Sequence, residues 1–110
     1  MEATVTIKLT DQEAEDILAT ALAGGINYWA DVMSSGRVNG VLMAHIRPTE
    51  GDDFEPQLIH TGTIQQGVDR LCEKYSARGH YCQDLLNDNV DAETADAVVQ
   101  YAVLGKIIYG

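Results

Sequence analysis

The sequence is poor in basic residues. Only 7 lysines and arginines stand against 17 aspartates and glutamates in 110 residues, which gives a formal net charge of -10. Phosphate backbones and anionic lipid surfaces repel such a chain, so direct binding to nucleic acid or to a membrane surface is not expected. The charge has two interpretations. It keeps the protein soluble through mutual repulsion, or it allows the protein to mimic nucleic acid and to bind a basic groove on another protein.

Long apolar runs and targeting signals are also missing. No apolar segment approaches the roughly 18 residues of a membrane span, and the first ten residues, MEATVTIKLT, lack the basic and apolar regions of a signal peptide. With only Cys72 and Cys82 as thiols, we expect reduced cysteines and a cytoplasmic location. The length predicts one domain over residues 1–110, whose core needs neither metal nor disulfide.

Sequence signatures of catalysis are absent. The chain contains no G-x-S-x-G, G-x-x-x-x-G-K or G-x-G-x-x-G motif. Cys72, His80 and Cys82 are ligand types that zinc accepts, but their C-x7-H-x-C spacing lacks a fourth ligand, and burial as a small hydrophobe explains Cys72. We therefore expect no catalytic residue, no metal and no cofactor. A small metal-assisted hydrolase using these three residues and nearby acids is the alternative.

Apolar periodicity predicts strands mainly in the first half of the chain. Thr10 and Glu13 have the capping-box spacing of a helix start, and Gly24 is expected to end that helix in the left-handed conformation. Asn39-Gly40 is a favoured hairpin pair. The predicted strands cover 3–9, 26–32, 41–46 and 58–60, with a turn at 34–36 and an exposed loop at 49–56.

Helical patterns dominate the second half. Thr63 and Gln66 repeat the capping-box spacing before an apolar stripe that runs to Tyr75. A short helix is predicted over 80–86, and a further one from an Asp91 cap to Gly105, followed by a half-strand over 106–109. Strands first and helices later predict an α+β fold, with a small, mostly antiparallel sheet packed by about four helices.

The segment GGINYW is the candidate binding segment. It places Asn27, Tyr28 and the only tryptophan, Trp29, directly after Gly24 and Gly25. Such side chains can stack on a planar ring and hydrogen-bond its edge. The alternative is that Tyr28 and Trp29 close the core or a subunit interface.

Two stretches carry a family resemblance. ALAGGINYW (residues 21–29) and DAETADAVVQYAVLGKIIYG (residues 91–110) resemble a family of small proteins encoded by bacteriophages, prophages and plasmids, with GG-x-NYW and DAET-D motifs. RLCEKYSARGHYCQDLLN is similar to the middle of that family, except that Ser76 stands where the family has proline.

The resemblance implies a binding role without turnover. It suggests a phage or mobile-element accessory protein that inhibits a host defence system, by sequestering a nucleotide-like signal or by capping a defence protein. Gly25, Asn27, Tyr28 and Trp29 would orient the ligand or anchor the partner, and Asp91, Thr94 and Asp96 would add polar edges if the last helix begins nearby. A purely structural or regulatory oligomer is the remaining alternative. The apolar tail, Ile107 to Tyr109, predicts a homo-oligomer in which a half-strand gains a partner.

Overall fold

A computed structural model describes residues 6–49, 55–75 and 78–110 of the chain. Within these ranges the protein has the predicted α+β fold, with four α-helices and a three-stranded antiparallel sheet in the order β1-β2-β3. The elements are α1 (Asp11–Thr20), a π-helical turn (Ala21–Gly25), β1 (Ala30–Val38), β2 (Val41–Pro48), β3 (Gln57–His60), α2 (Thr61–Lys74), α3 (His80–Leu86) and α4 (Ala92–Leu104). No helix in the described ranges has both the length and the apolar composition that crossing a bilayer requires.

Helix α4 lies at the centre of the fold. Every residue from Thr94 to Tyr101 is buried, so the helix is covered around its whole circumference. Helix α2 can approach it closely because position 67 is a glycine, where a Cβ would lie 2.3 Å from the Val98 carbonyl oxygen. The helix that holds Asp96 and Gln100 is therefore fixed by packing on several sides.

The sheet begins as a β-hairpin between β1 and β2. Asn39 and Gly40 both have positive φ angles, 52° and 81°, and Val38 pairs with Val41 across them. This is the hairpin turn that the sequence predicts, since asparagine and glycine tolerate the left-handed region. The predicted turn at residues 34–36 is wrong, because these residues lie inside β1 and pair with β2. Turn-forming residue types on this exposed part of the strand do not outweigh the register that the hairpin sets.

Several local predictions are confirmed. Thr10 caps α1 in a capping box with Glu13, and the Asp91 side chain accepts a hydrogen bond from the Thr94 amide at the start of α4. Gly105 ends α4 in the left-handed conformation, with φ of 79°. The strands predicted over 41–46 and 58–60 are present as β2 and β3, and the helix predicted over 80–86 has these bounds as α3. Of the loop predicted over 49–56, residues 50–54 lie outside the described residues.

The predicted first strand is wrong over its described part. Residues 6–10 form no regular strand, and residues 3–5 lie outside the described residues. The alternation that suggested a strand is still seen in burial, since Ile7 is buried and Leu9 is half-buried. Gln65 of α2 takes the place of a partner strand: its side chain accepts from the Leu9 amide at 2.8 Å and donates to the Ile7 carbonyl at 2.9 Å.

Two further boundaries differ from the prediction. The cap of α2 is His60, not Thr63, because the His60 Nδ1 atom accepts from the Gly62 amide while the Thr63 hydroxyl accepts from the His60 amide. Gln66 plays no part in this capping arrangement. The tail over 106–109 is not a half-strand, since its backbone is paired by a side chain of α4 instead of by a strand.

The contact between α2 and α4 predicts the effect of a methyl group at position 67. Gly67→Ala gains helix propensity but places its Cβ against the Val98 carbonyl oxygen of α4, which cannot yield without separating the helices. We expect a net loss of about 1–3 kcal/mol in the free energy of unfolding, measured by urea denaturation. Gly36→Ala is the control, because a Cβ there meets nothing within 4 Å. Equal stability of the two variants would contradict the close approach.

Candidate functional site

The π-helical turn places the segment after α1 against the start of α4. A Cβ at Gly25 would lie 2.9 Å from the Ala92 carbonyl oxygen, so this contact requires glycine. Gly24 has φ of 172° instead of the left-handed value predicted for it, and a Cβ there would meet nothing within 4 Å. The predicted strand over 26–32 is wrong in its first half, because residues 26–29 form a turn that precedes β1.

This turn directs two aromatic side chains at one carboxylate. The Tyr28 hydroxyl donates to Asp96 Oδ2 at 2.5 Å, and the Trp29 indole Nε1–H donates to Asp96 Oδ1 at 2.6 Å. The Gln100 amide donates to the same Oδ1 at 3.0 Å from one helical turn further along α4. We call these four residues the Asp96 network. Its centre is a carboxylate that is only 8% exposed.

No basic residue neutralises Asp96. All 7 lysines and arginines lie within the described residues, and none forms an ion pair with this carboxylate. Three neutral donors stabilise its charge instead, which is the arrangement by which a buried acid avoids the full cost of desolvation. The site thus holds a net negative charge that no protein cation balances.

Gln100 joins the C-terminal tail to this network. Its side-chain oxygen accepts from the amides of Ile108 and Tyr109 at 2.8 and 2.9 Å, and its amide nitrogen donates to the Tyr109 carbonyl at 3.0 Å. The Tyr109 ring then stacks on Trp29, with centroids 5.4 Å apart and planes 8° from parallel. The tail consequently covers the indole and forms one wall of the site.

A cavity of about 420 Å³ opens beside the network. Aromatic, acidic, amide and small residues form its walls: Gly24, Gly25, Tyr28, Tyr81, Ala92, Glu93, Asp96, Ala97, Gln100, Ile107, Tyr109 and Gly110. Neither lysine nor arginine nor histidine is among them. The cavity has the volume of a small-ligand site and combines apolar walls with a few placed polar groups.

The seven residues predicted for the site are divided by the structure. Gly25, Tyr28 and Asp96 line the cavity. Trp29 is 2% exposed and lies behind the wall, so it holds Asp96 but presents no face to a ligand in this conformation. The other three do not line it: Asn27 is exposed, Asp91 caps α4, and the buried Thr94 hydroxyl donates to Asp84 at 2.7 Å.

Nine of the 12 lining residues were not predicted as site residues from the sequence, and four of these nine have aromatic, acidic or amide side chains. Tyr81, Glu93, Gln100 and Tyr109 reach the cavity from α3, from α4 and from the tail. Gln100 could have been found, because it lies four residues after Asp96 and so on the same helix face. Nothing local in the sequence indicates that Tyr81 or Tyr109 approaches the GGINYW segment.

The environment of Tyr28 changes its acidity. Burial of the hydroxyl raises the pKa of Tyr28 to about 12, and the hydrogen bond to Asp96 and the charge of that carboxylate act in the same direction. The phenol therefore remains a protonated donor at neutral pH. Its ring is 57% exposed, so an aromatic face is available at the cavity while the hydroxyl is held.

The metal-ligand set considered from the sequence is not assembled. Cys72 and Cys82 are both buried. Burial is the main cause that raises the pKa of Cys72 to about 12, and the neighbouring Cys82 thiol raises it further. Among the described residues, the group whose ligand atoms lie within 4.8 Å of one another is His80, Asp91 and Glu93, all exposed. His80 Nε2 also lies 3.4 Å from an Asp84 carboxylate oxygen.

Comparison with known proteins gives no match: no family model, no curated protein and no solved structure resembles the chain significantly.

The burial of Trp29 predicts how its replacement affects stability. We expect Trp29→Ala to lose about 3–5 kcal/mol in the free energy of unfolding, because a buried ring and a donor to Asp96 are both removed. Trp29→Phe retains a ring against Tyr109 and should lose less, about 1–3 kcal/mol. Chemical denaturation of both variants measures the difference.

The control for this series is Tyr28→Phe, which removes another donor to Asp96 from a ring that is more than half exposed. Its loss of stability should be the smallest of the three. A Trp29→Ala variant as stable as the wild type would show that the indole is not part of the core.

Proposed function

We propose that the protein is a non-catalytic binding protein whose binding site is the cavity beside Asp96. The observation that carries this proposal is the pre-formed Asp96 network, in which three donors already hold one carboxylate at the cavity wall. A site held in this way loses little conformational entropy on binding. The lining residues include no serine, threonine, cysteine, lysine or histidine, so carboxylates and tyrosine phenols are the only usual nucleophiles that line the cavity among the described residues.

The biological role that we propose is inhibition of a host defence system in the cytoplasm of the host cell. The resemblance of the GG-x-NYW and DAET-D motifs to proteins of phages, prophages and plasmids supports this context. Of the two modes, capping a defence protein is favoured over sequestering a nucleotide-like signal. Glu93 and Asp96 line the cavity without a basic residue, and such a lining repels phosphate groups. Homo-oligomerisation is proposed as well on the hydrophobic content of 45%, although the tail bonds to Gln100 of its own chain and so does not supply the half-strand expected for it.

The role can be tested by comparing Tyr28→Ala with Met33→Ala. Tyr28 lines the cavity and is 57% exposed, whereas Met33 lies on β1 outside it and is 49% exposed. We expect wild type and Met33→Ala to raise phage plaque counts on host strains that carry a defence system, and Tyr28→Ala to lose this effect. Thermal melting must show that both variants fold. A folded Tyr28→Ala variant with full effect would place the function elsewhere on the surface.

Binding and turnover differ in stoichiometry. A capping protein should inhibit its purified target in proportion to the amount added, with an end point at a fixed molar ratio. Complete inhibition at far below that ratio, increasing with time, would indicate an enzyme and overturn the proposal.

A metal-assisted hydrolase is the second candidate, and one observation favours it. His80, Asp91 and Glu93 bring three ligand atoms within 4.8 Å of one another, and Glu93 also lines the cavity. Against it, all three side chains are exposed, and the Asp91 carboxylate already accepts from the Thr94 amide.

For this reason we expect metal chelation to change neither folding nor activity. Melting temperatures should agree with and without a chelator, and addition of Zn²⁺ should not raise them. Asp84→Asn is a useful second variant, because it removes the carboxylate that lies 3.4 Å from His80 Nε2 without changing the three-residue group. A loss of more than a few degrees on chelation would support the hydrolase.

A further inference from the structure

The cavity combines a buried carboxylate with three tyrosine rings, of which that of Tyr28 is exposed. Asp96 is 8% exposed and lines the cavity, and Glu93 adds a second carboxylate three residues earlier on α4. Tyr28, Tyr81 and Tyr109 supply three phenol rings around the same space. Among the described residues, no lysine, arginine or histidine lines it.

The hydrogen bonds within the network leave capacity for one more donor. Asp96 Oδ1 accepts from Trp29 and Gln100, while Oδ2 accepts only from Tyr28. An ionised carboxylate has about four acceptor positions in all, so Oδ2 retains one that no described residue uses. Gln100 cannot supply a free acceptor, because its oxygen is held by the two tail amides.

We propose that the cavity binds the cationic end of a lysine or arginine side chain presented by a basic protein partner. An alkylammonium or guanidinium group would donate to Asp96 Oδ2, lie against the tyrosine faces and bring the missing positive charge. Cations bind aromatic faces through the ring quadrupole, and the attraction grows where water is excluded. The aliphatic stem of such a side chain also suits the apolar part of the wall, formed by Ala92, Ala97 and Ile107.

The net charge of the whole chain agrees with this choice of partner. A formal charge of -10 attracts a basic protein surface over distances comparable with the Debye length. A phosphate-bearing ligand would meet repulsion both from the surface and from the two carboxylates of the cavity. The inference rests on the proposed function, because both concern the same cavity. The proposed function makes this cavity the binding site, and the inference adds the chemistry of the group that enters it.

The experiment uses the full chain and four small probes of similar length. Butylammonium and butylguanidinium carry the proposed cations, pentanol is the neutral analogue, and pentanoate is the anionic one. The chain has a single tryptophan, and its indole N–H donates directly to Asp96, so one resonance in a nitrogen–proton correlation spectrum reports on this carboxylate. We expect the cations to shift that resonance with about tenfold higher affinity than the neutral probe, and the anion not to bind.

Glu93→Gln tests the charge without disturbing the network. Glu93 is exposed and is not one of the three hydrogen-bond donors to Asp96, so the variant should fold normally. It should bind both cations several-fold more weakly, because one negative charge of the cavity is removed. Glu73→Gln is the matched control, because it removes one exposed negative charge that does not line the cavity. Added salt should weaken cation binding by the wild type.

The outcomes separate this inference from the proposed function. If pentanol or pentanoate binds as tightly as the cations, or if Glu93→Gln binds like Glu73→Gln, the inference is wrong, although Tyr28-dependent inhibition of host defence would still stand. If the cations bind as expected but the protein has no effect on any defence system, the chemistry of the cavity stands and the proposed role fails. Preference for butylammonium over butylguanidinium, or the reverse, identifies lysine or arginine as the partner residue.

Discussion

The carboxylate of Asp96 is the group on which the candidate site depends. It is buried in the central helix, and its stability requires donors from outside that helix as well as from within it. The turn after α1 supplies two of them through Tyr28 and Trp29, and Gln100 ties the same centre to the C-terminal tail. Three segments that are distant in sequence are thereby held against one wall of the cavity.

Two glycines make this arrangement possible. Gly67 permits α2 to pack against the backbone of α4, and Gly25 permits the π-helical turn to reach the first residue of α4. Either contact would be blocked by a methyl group. The contact at Gly25 thus helps to set the positions of the aromatic donors relative to Asp96, while the contact at Gly67 holds α4 against α2.

Some signals that act within a few residues were predicted correctly from the sequence, although the turn at 34–36 and the Thr63 cap were not. Side chains that replace a backbone partner were not predicted. The Thr10–Glu13 capping box, the Asn39-Gly40 turn and the Gly105 stop each depend on local geometry that residue type determines. The two failed predictions of terminal strands have a common cause. Gln65 and Gln100 pair with the backbone of the two terminal segments, and each thereby replaces a predicted strand. The sequence predicted that Asp96 lies near Tyr28 only on the condition that the last helix begins close to the GGINYW segment. The contact between Gly25 and Ala92 fulfils this condition, and no local sequence signal indicates it.

The choice of an acid at position 96 follows from the number of donors that meet there. An asparagine would offer one acceptor oxygen and would turn an NH₂ group toward a phenol, an indole or an amide that also needs to donate. A carboxylate accepts hydrogen bonds from all three donors. The negative charge at position 96 is therefore a consequence of the structural need for an acceptor. Glu93 has no such requirement beyond the weak preference of a helix start for acids. Glu93 lines the cavity and adds a second negative charge to that of Asp96, although the hydrogen-bond network requires only the first. This additional charge favours a cation in the cavity, which a buried polar network alone would not do.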